Sequence, residues 1–431
     1  MLGFQYVPGE LAQQSHRFAK TVSGPQNALV DVQTSYFGII KMKKTLLAST
    51  ALVGAALLAA PASAGTVGSK DAMSVTLGGT FWFSVAVYDE DISAGRGRGY
   101  RFGVNESEVY VNASNTADNG IKYGVNIELN AGAADGSAAD EAYAYLDSDQ
   151  WGRLELGDQD DATNRMSLGS QNAHKGLGGP TGGLGSNLTL FGGFGGEALG
   201  ARADWDNNTT SDSTKATYFS PRFAGFQLGA SLTPDTGVLS GTGGLVDTDN
   251  DGDFENVISY GINYVGKFDE IGVGLSFVGQ EGDDEDALGS ALTVEDLSIW
   301  GVGGKVDFAG FTLGAHYNDF GETGITTANA TNGADAGSTW SVGLGYQAGP
   351  WGVSAWYTDH EKDNASTSPA GATQSELTRL GFGAGYTVAP GWLLRADLEF
   401  ISHDNISNGT GTGTTTDNDG RGFMLTNMFI F

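Results

Sequence analysis

The chain has 431 residues, among them 68 Gly, 9 Pro and no Cys, with 22 Lys+Arg against 51 Asp+Glu for a formal charge of −29. Zero Cys excludes a disulfide scaffold and a thiolate-held zinc site, and the acidic balance argues against nucleic acid, whose phosphates need a basic face. Disorder, the other reading of an acidic Gly-rich chain, fits poorly with 10% aromatic residues and a regular strand pattern.

In chain order, the first feature is MKKTLLASTALVGAALLAAPASA from Met42. Lys43 and Lys44 form a positive start, Thr45 to Ala60 an apolar stretch, and Ala62-Ser63-Ala64 a small-residue cleavage pattern. Residues 42–64 are therefore expected to be a signal peptide, with the mature chain starting at Gly65. A transmembrane helix is disfavoured because the apolar run is short and ends at Pro61. Residues 1–41 lie upstream of a complete signal and are expected to be an over-long start outside the mature protein. Without residues 1–64 the charge is −32. No later apolar run approaches the length of a spanning helix, so an exported chain of this kind is either soluble beyond the inner membrane or a barrel in the outer one.

From there on, period two dominates. Val75, Leu77, Phe81, Phe83, Val85 and Val87 share one face. Ile121, Tyr123, Val125, Ile127 and Leu129 alternate with Lys122, Gly124, Asn126, Glu128 and Asn130. The split recurs at Ile258–Tyr264, Ile271–Phe277, Trp340–Tyr346 and Trp392–Phe400. Successive strand side chains point to opposite faces, so each segment has one oily and one wet side. The wet side is rich in Gly, Ser and Asn, and the oily side carries Tyr, Trp and Phe near strand ends. That is the pattern of a transmembrane barrel, which also leaves no unpaired edge in lipid.

Connections alternate in length. The eight long ones are 89–97, 132–138, 158–211, 233–255, 281–294, 321–337, 361–375 and 404–420, and the strands between the connections number 16. The expected fold is all-β: a 16-stranded antiparallel transmembrane β-barrel spanning 65–431, short turns at one end and long loops at the other. The third long loop, about 158–211, is by far the longest and is expected to fold inward and narrow the pore.

Several stretches together resemble the trimeric general diffusion porins of Gram-negative bacteria, in particular the alphaproteobacterial branch. They are Ser107-Glu108-Val109-Tyr110-Val111-Asn112, Thr116-Ala117-Asp118-Asn119-Gly120-Ile121, Trp151-Gly152-Arg153-Leu154-Glu155-Leu156-Gly157, Tyr218-Phe219-Ser220-Pro221-Arg222-Phe223-Ala224-Gly225-Phe226 and the terminal Phe431. One departure is visible: many porins carry a Pro-Glu-Phe-Gly turn in the constriction loop, where this chain has only Gly193-Phe194-Gly195-Gly196. The resemblance implies a water-filled pore in a homotrimer, set among outer-membrane lipid and lipopolysaccharide, that passes small hydrophilic solutes passively with no catalytic step. It also implies acidic groups on the third loop facing basic groups on the wall. Charge and diameter at such a constriction select the permeants, and the acidic balance predicts a bias towards cations. A substrate-specific channel and a secreted β-rich adhesin are the alternatives.

The candidate acidic residues of the constriction are Asp158, Asp160 and Asp161, which can also be read as the first turn of a helix, followed by Glu197 and Asp204. Candidate basic residues are Arg98, Arg101, Arg153, Arg379 and Arg395, with Lys122 and Lys305 also reading as inward. The competing reading for the basic set is ion pairs that stabilise the wall. Asp247, Asp249, Asp251 and Asp253 with Gly252 match the opening of a calcium-binding loop, although Ile258 stands where a bidentate Glu belongs. No cofactor is required, and structural Ca2+ is the one ion the pattern suggests. His174, His316, His360 and His403 lack metal-ligand spacing and read as solvated.

Overall fold

The computed structural model describes residues 73–91, 99–132, 139–180, 209–236, 253–285, 293–364, 374–407 and 415–431. Residues 42–64, expected to be a signal peptide, and the residues before them lie outside these.

Sixteen strands form a closed antiparallel barrel. They are β1 (Ser74–Glu90), β2 (Tyr100–Thr116), β3 (Lys122–Asn130), β4 (Ala139–Ser148), β5 (Gly152–Asp158), β6 (Thr214–Phe219), β7 (Phe226–Asp235) and β8 (Phe254–Phe268). There follow β9 (Ile271–Asp284), β10 (Leu297–Phe308), β11 (Phe311–Asp319), β12 (Ser338–Ala348), β13 (Trp351–Asp363), β14 (Gln374–Ala389), β15 (Trp392–Ser407) and β16 (Thr415–Ile430). Each strand pairs with its sequence neighbours, and β1 closes on β16 from Thr80↔Ile430 to Glu90↔Gly420. Phe431 completes the seam by exchanging backbone bonds with Gly79 in both directions, at 2.8 and 3.0 Å. Deleting Phe431 removes both bonds at the last point of closure. It should lower the yield of folded barrel, read as the fraction that migrates fast on an unheated gel.

The count of sixteen and the order of turns and loops agree with the sequence reading. Several strands run longer than the alternation alone indicated. β9 continues to Asp284, and β15 and β16 continue to Ser407 and from Thr415. Once a ladder is in register, each further rung needs only a paired backbone, so polar and Gly-rich residues can extend it.

The short connections use backbone shapes that suit tight hairpins. Ala309 and Gly310 both have positive φ, 49° and 87°, between the paired residues Phe308 and Phe311. Such two-residue turns match the twist of the strands they join.

The oily stripe faces outward. Leu228, Leu275, Leu313, Leu344 and Val353 are all more than half exposed, which in a chain this apolar on one side means contact with lipid. Aromatic pairs mark two levels on that face. At the short-turn end lie Phe226–Tyr264, Phe311–Tyr346 and Trp351–Tyr386, with ring centroids 5.0, 4.5 and 4.1 Å apart. Towards the long loops lie Phe277–Trp300, Trp300–Tyr317 and Trp340–Tyr357, at 6.5, 5.6 and 5.2 Å. Tyr317 stands six residues from Phe311 on β11, about 20 Å along a strand, so the two girdles bracket an apolar band of membrane dimensions. The opposite stripe is buried and polar: Ser231, Ser259, Asn263, Gln280, Thr312, Ser341, Thr358 and Asp397 all face the interior.

Candidate functional site: the lumen and its constriction segment

β5 ends at Asp158, and the chain turns at once into a short helix, α1 (Ala162–Met166), followed by a 3-10 turn at Ser170–Ala173. The helix starts where it does because Asp161 caps it: Oδ1 accepts the Asn164 N–H at 3.0 Å and the Thr163 hydroxyl at 2.5 Å. It stops at Ser167, whose backbone is extended. Ala162 and Met166 pack against Phe219 and Val278, and Leu177 packs against a second apolar patch on the inner face, Trp82, Leu393 and Met428.

Residues 161–179 then follow the inner wall across nine consecutive strands, β7 to β15. Asp161 Oδ2 accepts from Ser259 Oγ at 2.6 Å, Gln280 Nε2 at 2.5 Å and Thr210 Oγ1 at 3.1 Å. Ala162 N–H donates to Ser231 Oγ, Asn263 Nδ2 to the Met166 carbonyl and Leu168 N–H to Ser276 Oγ, at 2.8, 3.2 and 2.9 Å. Ser170 Oγ bonds His316 Nδ1 at 3.0 Å and Ser341 Oγ at 2.9 Å. Further on, Lys175 N–H donates to Ser354 Oγ and Leu177 N–H to Asp397 Oδ2, at 2.9 and 2.8 Å. Arg395 Nη1 donates to the Lys175 carbonyl at 3.1 Å, and Arg379 Nη2 to the Gly179 carbonyl at 3.4 Å.

The Gly-rich character of the wet stripe now has a cause. A Cβ on Gly314 would strike the Gly169 carbonyl, one on Gly345 the Ala173 carbonyl, and one on Gly303 the Leu168 carbonyl. Gly229 and Gly261 make room for Met166 in the same way. The glycines form a shallow groove around the wall at the level of the segment.

Charge on the wall is arranged differently from the expectation. Glu155, fully buried, holds both Arg153 and Arg165. Burial works against the charge on Arg165, but Glu155 more than offsets it and holds the guanidinium pKa above its usual range. Arg153 also stacks over Tyr145 at 4.1 Å, so it is a wall ion pair. Arg379 pairs with Glu399 at 2.7 Å and lies over Trp356. Arg379 and Arg395 are each only 5% exposed. Both hold the segment's backbone in place of lining open water. Asp161 is likewise no pore-lining acid: it is completely buried and both its oxygens are occupied. Asp158 accepts the Thr214 hydroxyl on the neighbouring strand, and the Asp160 N–H donates to Glu141 at 3.3 Å.

The acids instead gather on the wall itself. Glu108, Glu128 and Asp140, from β2, β3 and β4, bring carboxylate oxygens within 4.8 Å of one another. Glu141, Asp160 and Asp212 form a second such group beside them. Arg101 stands opposite the buried Ala86 and so faces inward, near the long-loop end. Lys305 faces inward and pairs with Asp307 at 3.0 Å, and Lys122 is exposed at the start of β3. Arg98, Glu197, Asp204, Asp247, Asp249 and Asp251 lie outside the described residues. Asp253, immediately before β8, is described, and its backbone carbonyl accepts the Glu285 N–H at 3.0 Å.

The histidines are not solvated. His174, His316, His360 and His403 are 4, 7, 2 and 1% exposed, because their strand positions fall on the inner stripe or, for His174, on the segment pressed against it. His174 bridges the segment to two strands, with Nε2 at 3.1 Å from Asp397 Oδ1 and Nδ1 at 3.3 Å from Ser354 Oγ. The residues that sequence reasoning passed over are Arg165, Ser259, Gln280, Ser354, Asp397 and the groove glycines. Phe219 and Val278 were the available signal: apolar side chains on a polar stripe need something to cover them.

The Gram-negative porin family profile matches residues 48–406. No curated protein matches the chain. Among solved structures, the chain is similar to an anion-selective porin from Comamonas acidovorans, with 16% identity and a TM-score of 0.53, over 83% of this chain and 100% of that one. It is similar to the trimer form of in-vitro folded OmpT, an outer membrane protein of Vibrio cholerae, with 14% identity and a TM-score of 0.54, over 84% and 100%. The outer membrane channel DcaP of Acinetobacter baumannii aligns with 13% identity and a TM-score of 0.50, over 85% and 100%.

Proposed function

The chain belongs to the Gram-negative porins, and on that premise we propose that its outer-membrane diffusion channel favours small hydrophilic cations over anions. One observation carries this reading. Of the carboxylates that gather on one side of the lumen, Asp140 and Asp212 are only half-buried and reach its water, while Arg153, Arg379 and Arg395 are tied up in ion pairs or on loop carbonyls. Fixed charge in a narrow, low-dielectric passage concentrates counter-ions. The fold does not decide the sign, since an anion-selective porin shares it; the side chains on the wall do.

The test is the reversal potential of single channels in a salt gradient, measured with a chelator present. Potassium should be favoured over chloride, and the double variant Asp140→Asn, Asp212→Asn should move the reversal potential towards zero. A clear chloride preference in the unaltered protein would overturn the proposal.

Permeation here involves no covalent step. Ser354, His174 and Asp397 are neighbours, yet Ser354 Oγ already accepts the Lys175 N–H at 2.9 Å and is 9% exposed, which suits a latch on the segment and leaves no place for a substrate. A homotrimer is part of the same reading, supported by the trimer form of the similar Vibrio cholerae protein. The surroundings are outer-membrane lipid and lipopolysaccharide, which the exposed aromatic girdles suit.

A further inference from the structure

We propose that Glu108, Glu128 and Asp140, with the side-chain oxygen of Asn126, form a divalent-cation site on the inner wall, built for Ca2+. Glu108 and Glu128 are diagonal neighbours across the β2–β3 ladder, where Glu108 pairs with Asn130 and Glu128 with Tyr110. The third carboxylate arrives through a β-bulge. Ile127 pairs with Ala142, but two residues later Leu129 pairs with Ala139, so β4 carries one extra residue opposite Glu128. A bulge of this kind re-aims side chains. Here it sends the consecutive residues Asp140 and Glu141 into two adjacent carboxylate groups.

Two further observations point to an ion. Glu108 is 2% exposed, and among the described residues its Oε2 has no hydrogen-bond partner. Asn126, also 2% exposed, gives its Nδ2 to Glu128 Oε1 at 3.2 Å, and its Oδ1 meets no donor among the described residues. Buried oxygens without donors are expensive, and like charges this close even more so. A cation among them resolves both. Among the described residues neither Glu108 nor Glu128 has an ion pair of its own. The neighbouring group differs in that respect: Glu141 lies within charge range of Arg165, and Lys215 within range of Asp160 and Asp212. Carboxylate oxygens that all lie within 4.8 Å of one another can share one Ca2+ ion, whose ligands sit at about 2.4 Å, and an all-oxygen set selects a hard cation. Hydrogen-bonded strands hold the three carboxylates in place before the ion arrives.

The experiment uses the full barrel in detergent, stripped with chelator and titrated with Tb3+, whose emission Tyr110 and Tyr143 nearby would sensitise. Emission should saturate at one ion per protomer and be displaced by Ca2+. Glu108→Gln and Glu128→Gln should each weaken binding by at least the ~10-fold typical of losing an outer partner of a metal site, whereas Glu322→Gln, exposed and outside every carboxylate group among the described residues, should leave it unchanged. No Ca2+ displacement up to about 1 mM, the weak end for extracellular calcium sites, would overturn the proposal. So would equal binding in the unaltered protein and both Gln variants, which would put the ion elsewhere. If a Gln variant fails to give a heat-modifiable band, Asp140→Asn, at the half-buried position, supplies the same readout. The titration reads binding and not permeation, so its outcome is separate from that of the selectivity measurement.

Discussion

Asp161→Ala should release the lumen segment and raise single-channel conductance, while the barrel still forms. One carboxylate performs two tasks here. It caps α1 through Oδ1, and through Oδ2 it accepts from Ser259 on β8, Gln280 on β9 and Thr210 at the returning end of the loop. Losing the cap costs about 1 kcal/mol, and leaving buried donors without an acceptor costs about 1 kcal/mol or more for each. Together they weaken the attachment of the segment to the wall by several kcal/mol. The strands keep their own ladders, so the fast-migrating unheated band should persist while the conductance distribution broadens and shifts upward. An unchanged conductance would mean that the remaining contacts to Ser231, Asn263, Ser276 and Asp397 suffice to hold the segment. Asp161→Asn should be milder, since it retains an oxygen for part of the set.

The paired change Gly314→Val, Gly345→Val should have a comparable effect by a different route. Each new Cβ would collide with a loop carbonyl, that of Gly169 or Ala173. Overpacking of this kind costs roughly 1–3 kcal/mol at each site if nothing moves. The strand does not object, because Val favours extended backbone and Gly weakens it. The segment therefore gives way and the pore widens. A matched control places Val at Gly310, where φ is 87° and the lumen is not involved; it should strain the turn without altering conductance. If the groove variants instead block the channel, the segment has been pushed across the lumen, and conductance distinguishes this from release.

Both predictions change how the first residues of the long loop are understood. Asp158, Asp160 and Asp161 read from sequence as an acidic rim, with a helix turn as the alternative. The helix turn is what Asp161 makes. Three acidic residues within four positions are compatible with either, because a carboxylate at a helix start and one facing water look the same in one dimension. The basic residues went the same way. Arg153, Arg379 and Arg395 lie on inward stripes as the alternation indicated, but whether an inward guanidinium meets water or a carbonyl depends on what else occupies that level of the lumen. The histidines show the reverse error: His316, His360 and His403 sat on legible strand positions, and only their burial was misjudged.

The sequence by itself determined the barrel. Period-two alternation with a lipid-compatible stripe, sixteen segments and connections of alternating length depend only on local backbone geometry and on the demand that every backbone group in the membrane be paired. The tertiary structure alone decided what the polar stripe is for. Its glycines are a groove for a segment distant in the chain, and its buried Ser, Asn and Gln are that segment's hydrogen-bond partners. Its carboxylates converge through a one-residue bulge in β4. A stripe pattern records which way each side chain points but not which strand, loop or ion it meets, and those meetings set the charge and width of the pore.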